Sequence, residues 1–287
     1  MAMAVAARAD VASGLRAFEA ADYRIALREL GPAAEAGDVR AQFHLGLMYD
    51  AGLGVEADPL EAALWMAKAA TKDHDEAQRV LGIFYEEGKG VLKDYAEAAR
   101  WYRFSAEQGN AKAQRNLGYL YYVGKGVARN HVLAAQWFSR SAENGSAKAK
   151  RNLAYMYYFG QGVTESRSRA AELFAEAAGA GYDKALFNLG FTYYHGQGVP
   201  EDRGRAAELF HAAASQGHAQ AQLFLGRMYA FGEGVARDYA ESWFWLLLAA
   251  AQKPGPTAYY FERLRGKISE PEQERARRRA ALWTPQG

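Results

Sequence analysis

The apolar residues of this chain recur on a fixed clock. Residues 41–55 read AQFHLGLMYDAGLGV and 77–91 read AQRVLGIFYEEGKGV. The frame returns at 113–127 (AQRNLGYLYYVGKGV), 149–163 (AKRNLAYMYYFGQGV), 185–199 (ALFNLGFTYYHGQGV) and 221–235 (AQLFLGRMYAFGEGV). Leu45, Leu81, Leu117, Leu153, Leu189 and Leu225 stand 36 residues apart, as do Tyr49, Tyr85, Tyr121, Tyr157, Tyr193 and Tyr229. Alanine, leucine and tyrosine at i, i+4 and i+8, as in Ala113, Leu117 and Tyr121, mark one stripe of a helix. Gly-x-Gly-Val follows, where glycine takes a positive φ and ends the helix.

A second helix is predicted to open at Asp58, Asp94, Asn130, Ser166, Asp202 and Asp238, all residue types whose side-chain oxygen caps an orphaned amide. Pro59 suits a first helical position, and Glu61, Glu97 and Glu241 lie at capping-box spacing from their aspartates. This helix carries Ala62, Trp65 and Ala70, matched by Ala98, Trp101 and Ala106, and closes near Gly109, Gly145, Gly181 and Gly217. The glycine after each leucine (Ala154 in the fourth unit) predicts close approach of the paired helices.

Six hairpin units therefore tile the chain without insertion: 39–74, 75–110, 111–146, 147–182, 183–218 and 219–254. One hairpin cannot bury its own apolar face, so stacked neighbours must supply the core. Residues 10–38 hold a half-match that lacks the Gly-x-Gly turn and reads as an N-terminal cap. Residues 255–287 read as C-terminal capping helices over the apolar run WFWLLLAA at 243–250. A helix is expected from Ser269, Glu270, Pro271 and Glu272 onward, with Leu282 and Trp283 docking on Trp243. Arg275, Arg277, Arg278 and Arg279 fit a solvated face of that helix better than a nucleic-acid patch.

Composition sharpens this picture. Twenty-two of the 29 glycines belong to the turns, to the position after the leucine or to unit ends, so they are punctuation rather than flexibility. The 35 basic and 33 acidic residues nearly cancel, which leaves no general field for nucleic acid. Without cysteine there is no disulfide, thiol nucleophile or cysteine-bound zinc. No apolar run approaches the roughly 20 residues of a membrane span. Residues 1–9 read as a disordered start or the remnant of an export signal, since Ala7-Arg8-Ala9 has a cleavage-site form. Periplasmic and cytoplasmic locations both stay open.

The motif A-Q-x-x-L-G-x-x-Y-x-x-G-x-G-V, followed by D-x-x-x-A-x-x-W-x-x-x-A-A-x-x-G, resembles the Sel-one-like repeat (SLR) family, relatives of the tetratricopeptide repeat. The resemblance covers residues 39–254 and extends weakly to 10–38. It implies an all-α, right-handed α-solenoid (a superhelix of helix-turn-helix repeats) that serves as an adaptor in signalling or envelope complexes. Cysteine-rich members associated with β-lactams are stapled by disulfides, which this chain cannot form.

No catalytic constellation emerges. The histidines His44, His74, His131, His195, His211 and His218 form no metal motif, although His211 and His218 straddle one helix end. No Gly-x-Gly turn extends to a phosphate loop, and each follows a helix rather than a strand. No cofactor is expected.

The positions that break the period are more informative. By analogy with the tetratricopeptide repeat, the groove positions lie two before and two, five and six after the motif leucine. They give Phe43, Leu47, Asp50 and Ala51, then Arg79, Ile83, Glu86 and Glu87, then Arg115, Tyr119, Tyr122 and Val123. The later units give Arg151, Tyr155, Tyr158 and Phe159, then Phe187, Phe191, Tyr194 and His195, then Leu223, Arg227, Ala230 and Phe231. Tyrosine and arginine are enriched at binding hot spots, so the middle units form the candidate partner surface. Packing against neighbouring units is the competing explanation. Asp50, Glu86 and Glu87 are expected to select basic residues, and Asn116, Asn152 and Asn188 to bridge backbone.

The resulting expectation is a non-enzymatic scaffold that binds a peptide or partner domain, without nucleic acid or membrane insertion, as a monomer or a small oligomer. Binding of envelope glycan is the alternative, and a hydrolase using His195 a distant third.

Overall fold

The computed structural model describes residues 10–286, and the region around Ala7-Arg8-Ala9 lies outside them. The described residues form 16 α-helices and one 3-10 turn, with no strand among them. They fall into two compact units, split between Gly145 and Ser146.

The first unit holds α1 (Val11–Glu19), α2 (Tyr23–Glu35), α3 (Val39–Ala51), α4 (Pro59–Ala70), α5 (Asp75–Glu87), α6 (Tyr95–Glu107), α7 (Ala111–Val123) and α8 (His131–Glu143). The second holds α9 (Ala147–Phe159), α10 (Arg167–Ala178), α11 (Asp183–His195), α12 (Arg203–Ser215), α13 (Ala219–Phe231) and α14 (Tyr239–Gln252). It ends with α15 (Ala258–Leu264) and α16 (Glu270–Ala281). Consecutive helices pair as hairpins, and within each unit every hairpin packs on the next.

The second helix of every repeat starts where its cap residue predicts. Asp58 accepts from the amides of Leu60 and Glu61 at 2.9 and 3.1 Å, and Asn130, Ser166 and Asp202 each cap one amide. The reciprocal half of the expected capping boxes is not used. Glu61 accepts instead from the Trp65 indole (3.1 Å), Glu97 pairs with Arg100 and Glu241 with Arg279. The amides of Asp58, Asp94 and Asp238 donate instead to the carbonyls of Tyr49, Tyr85 and Tyr229 at 2.9–3.0 Å, which leaves no amide for the box. A true box forms at α16, where the Ser269 amide donates to Glu272.

The two glycines of a turn do different work, as Gly196 and Gly198 show. Gly196 ends α11 in the left-handed region (φ 62°), and a Cβ there would press on Glu201 at 3.3 Å without overlapping it. Gly198 also has a positive φ, but a Cβ there would overlap the Arg167 carbonyl at the start of the preceding repeat's second helix. The first glycine reverses the chain and the second lets neighbouring repeats touch.

Buried glutamines stitch the repeats. Gln42, Gln78, Gln114 and Gln222 are at most 4% exposed, and each Nε2 donates to the carbonyl of Ala34, Ala70, Ala106 or Ala214 at 3.0–3.2 Å. This is the backbone bridge expected of the asparagines. Asn116 and Asn188 instead accept from side chains, Arg115 and Tyr155 respectively. The glutamine lies two residues nearer the preceding helix end, where each of these carbonyls accepts one backbone amide (Gly37, Asp73, Gly109 or Gly217) and has a second lone pair to offer.

The C-terminal cover forms with different contacts from those expected. Trp243 is met by Phe261 of α15 (ring centroids 4.7 Å apart), not by Leu282 or Trp283. Leu282 is 85% exposed, and Trp283 runs beside Gly217 while the Gln286 amide donates to the Ser215 carbonyl. Helix α16 lies on α14 through Arg279, which pairs with Glu241 and sits 3.8 Å over the Phe244 ring. Arg277 and Arg278 both face Glu274.

Candidate functional site

In the second unit the first helices of successive repeats put their aromatic residues side by side. Tyr155, Tyr158 and Phe159 descend from α9, and Phe187, Asn188, Phe191 and Thr192 face them from α11. Phe174 of α10 forms the floor and Gln220 of α13 the far edge. They enclose a cleft of about 370 Å³.

The walls are held by contacts between repeats. The Tyr155 hydroxyl donates to Asn188 Oδ1 at 2.8 Å, and the Tyr158 hydroxyl to Gln197 Oε1 at 2.7 Å. Tyr155 meets Phe174 edge-on at 5.3 Å and lies nearly parallel to Phe159 (6°, 6.3 Å). Phe187 stacks on His218 at 4.8 Å and packs against Phe210 at 5.5 Å. Burial pushes the His218 imidazole below its usual range, Asp183 opposes this, and Lys184 and Arg151 reinforce it. Phe159 stays 60% exposed at the mouth.

Two donors here lack partners. Asn188 is 6% exposed, its Oδ1 is taken by Tyr155, and its Nδ2 has none. Arg151 sits 4.9 Å over the Tyr155 ring with a buried, unpartnered Nε.

Not every groove candidate joins this cleft. Tyr194 is 4% exposed, because its hydroxyl donates to Glu233 (2.6 Å) and accepts from Arg227 (2.8 Å). Burial first, and then Glu233, push its phenol upward. The expected open position of Tyr194 is thus replaced by a buried polar cluster. His195 is exposed beside Phe191 (4.3 Å), and burial, Arg227 and Arg203 keep its imidazole below the usual range. In the first unit Arg115 bonds Asn116 Oδ1 at 2.8 Å, Tyr119 is 46% exposed and Tyr122 stacks on His131 at 5.1 Å. Asp50 is paired with Lys89 (2.5 Å) and Glu86 accepts from Tyr102 (2.6 Å). Those two carboxylates are satisfied from within, so the selection of basic residues expected there loses its main groups.

Phe174, Asn188, Thr192 and Gln220 complete the lining without having been candidates for it. Phe174 was legible as a period mark, since Tyr102, Phe138 and Phe210 occupy the same place. Asn188 carried a periodic signal that points equally to structure.

The repeat unit itself has a family match. The Sel1 repeat model matches residues 39–74, 75–110, 111–146, 147–182, 183–218 and 219–254. The chain belongs to the Sel1 repeat family. Two solved structures resemble this Sel1 repeat protein at over 30% identity. One is a protective antigen of uropathogenic Escherichia coli displaying an SLR fold (32% identity, TM-score 0.82, 89% of this chain and 56% of that one). The other is a Sel1 repeat protein from Oxalobacter formigenes (33% identity, TM-score 0.77, 83% of this chain and 96% of that one). The chain thus spans little more than half the length of the E. coli antigen. An immunity protein of Pseudomonas aeruginosa shares the fold at 19% identity (TM-score 0.50, 76% of this chain and 82% of that one). No curated protein matches the sequence.

Sel1 repeat proteins are generally scaffolds for protein interaction, and their fold is typically non-catalytic. No described helix is long and apolar enough to cross a membrane.

Proposed function

We propose that this Sel1 repeat protein is an adaptor that holds an extended segment of a protein partner in the aromatic cleft of its second unit. The observation that carries the reading is the cleft itself. Its rings are fixed by Tyr155–Asn188 and Tyr158–Gln197, so they are ordered before a partner arrives. Pre-ordered aromatic walls bury large apolar area at little entropic cost. A peptide side chain fits a space of this size, and the open side leaves room for the chain to continue.

The reading extends to complexes at a bacterial envelope, as the resemblance to the SLR family implies. Phe159, exposed and parallel to Tyr155, is also the kind of ring face on which sugars stack, which is the specific reason to test glycan beside peptide.

The deciding experiment is affinity capture from native cells with wild-type protein and Phe159→Ala, read by mass spectrometry. A protein partner retained by the wild type and lost from the variant is expected. Equal capture by both, or capture of glycan alone, refutes the adaptor reading.

A further inference from the structure

The rim of the aromatic cleft carries cations that the fold leaves uncompensated. Arg151, on the Tyr155 ring, has no carboxylate within ion-pair distance among the described residues. Lys148 and Lys184 occupy the same place in successive repeats, both exposed near the start of their helices. Neither forms a described ion pair. Lys150, by contrast, is taken by Glu176 at 2.8 Å. Arg151 lies over the Tyr155 ring, and Lys184 stands three and four residues before Phe187 and Asn188 on α11, hence on the same helix face, so both cations border the cleft. Asp183 is the carboxylate acting on His218, whose ring is stacked on Phe187.

Beyond Gln220 the surface continues into a second hollow of about 170 Å³, lined by Gln220, Leu223, Lys253 and Thr257 among others. Gln220 borders both spaces, so a chain lying in the cleft has somewhere to go at that end. Lys253 adds an exposed cation there.

We infer that the segment held in this cleft is acidic: an apolar or aromatic side chain enters between Tyr155, Phe159 and Phe191, and a neighbouring Asp or Glu carboxylate lies against Arg151 and Lys184. This rests on the adaptor reading above and adds the charge of the partner to it. A carboxylate supplies acceptors for the Arg151 guanidinium, and a backbone carbonyl of the same segment suits the unpartnered Asn188 Nδ2. Charge-assisted bonds of this kind are roughly twice as strong as neutral ones. The second hollow favours a carboxylate within the chain over one at its end, because the segment passes through rather than stopping.

The test uses the full chain and fluorescein-labelled, N-acetylated, C-amidated nonapeptides with Phe at the centre and Glu, Gln or Lys on either side. Capping removes both terminal charges, so the preference reports side chains. In a fluorescence-polarisation titration the Glu peptide is expected to bind about tenfold tighter than the Gln peptide. That advantage shrinks as salt rises, and the Lys peptide does not bind. Arg151→Gln and Lys184→Gln each erode the Glu-over-Gln preference while the Gln peptide holds its affinity. Phe159→Ala weakens both peptides. Lys184 is exposed, so its variant folds, and thermal melts monitor Arg151→Gln.

Equal affinity for Glu and Gln peptides, or a preference that survives both charge variants, overturns the acidic partner and leaves the adaptor intact. A Gln peptide synthesised with a free C-terminus runs beside these, and its binding where the amidated form fails moves recognition to a chain end and overturns it too. Binding of chito-oligosaccharide but of no peptide removes this inference together with the adaptor reading.

Discussion

Tyr155 donates its hydroxyl to Asn188 Oδ1 across 2.8 Å, joining two consecutive repeats at the wall of the aromatic cleft. The bond gives the Asn188 amide its only described partner, since Nδ2 has none. Tyr155→Phe should therefore leave a buried amide unpaired and cost about 1–3 kcal/mol. Tyr155→Ala should cost more, because the ring also packs on Phe174 and Phe159. Urea denaturation of the two variants measures this. If Tyr155→Phe unfolds at the wild-type midpoint, the bond contributes nothing.

Phe159 and Tyr119 are the two hydrophobic candidates most open to solvent, at 60% and 46% exposed. Alanine at either should change stability by no more than about 0.5 kcal/mol. That makes them clean probes of binding where Tyr155 is not. A melting point clearly lowered by Phe159→Ala would place its ring in the core instead of at the mouth.

The division of labour in the turn predicts an unequal pair. Gly196→Ala should cost about 1–2 kcal/mol, the strain of a left-handed residue with a Cβ. Gly198→Ala should cost about 3 kcal/mol or more, because its methyl also overlaps the Arg167 carbonyl. Thermal melts of the two proteins suffice. Equal losses would mean that only backbone conformation matters at both sites.

Acid should loosen two repeat joints. His74 and His218 cap α5 and α13, with Nδ1 accepting from the amides of Ala77 (3.1 Å) and Ala221 (3.2 Å). Their rings stack on Phe43 and Phe187. Capping requires an unprotonated Nδ1, so the proton rests on Nε2. Burial, the largest cause, lowers both imidazoles below 6.5, against Asp75 and Glu76 at His74 and against Asp183 at His218. His44 adds to the lowering at His74, and Lys184 and Arg151 at His218. The unfolded chain then binds more protons just below 6.5. Their contribution is complete above that pH and is lost as pH falls from there through the folded values. The melting temperature should drop between about pH 7 and pH 5. His74→Asn with His218→Asn, copying Asn110 at the same place, should flatten the drop. A wild-type curve that is flat over this range removes the two caps from the account.

The repeat and its all-helical fold are legible in the sequence because they follow from one-dimensional facts. A glycine that must reverse the chain, a cap that must precede a helix and a leucine that must face inward all recur at 36. What stayed hidden depends on partners one period away. Tyr194 and Tyr158 look alike in sequence, yet Tyr194 finds Glu233 and Arg227 and disappears from the surface, whereas Tyr158 finds Gln197 and lines the cleft. The periodicity names the face of a helix, not which neighbour a hydroxyl will reach. His74 and His218 hid for a different reason: a histidine cap does not announce itself as aspartate or serine does. In the tail, tryptophan and leucine do not encode which aromatic they meet, and Trp243 meets Phe261.

The cleft takes its sides from α9, α11 and α13, one helix from each of three successive repeats, and no repeat contains it alone. On the proposed function, recognition here is spelled like a short word to which each of the three repeats contributes its own letters. Exchanging one 36-residue module rewrites that repeat's letters and leaves the grammar of the stack, its glycines and glutamines, unchanged.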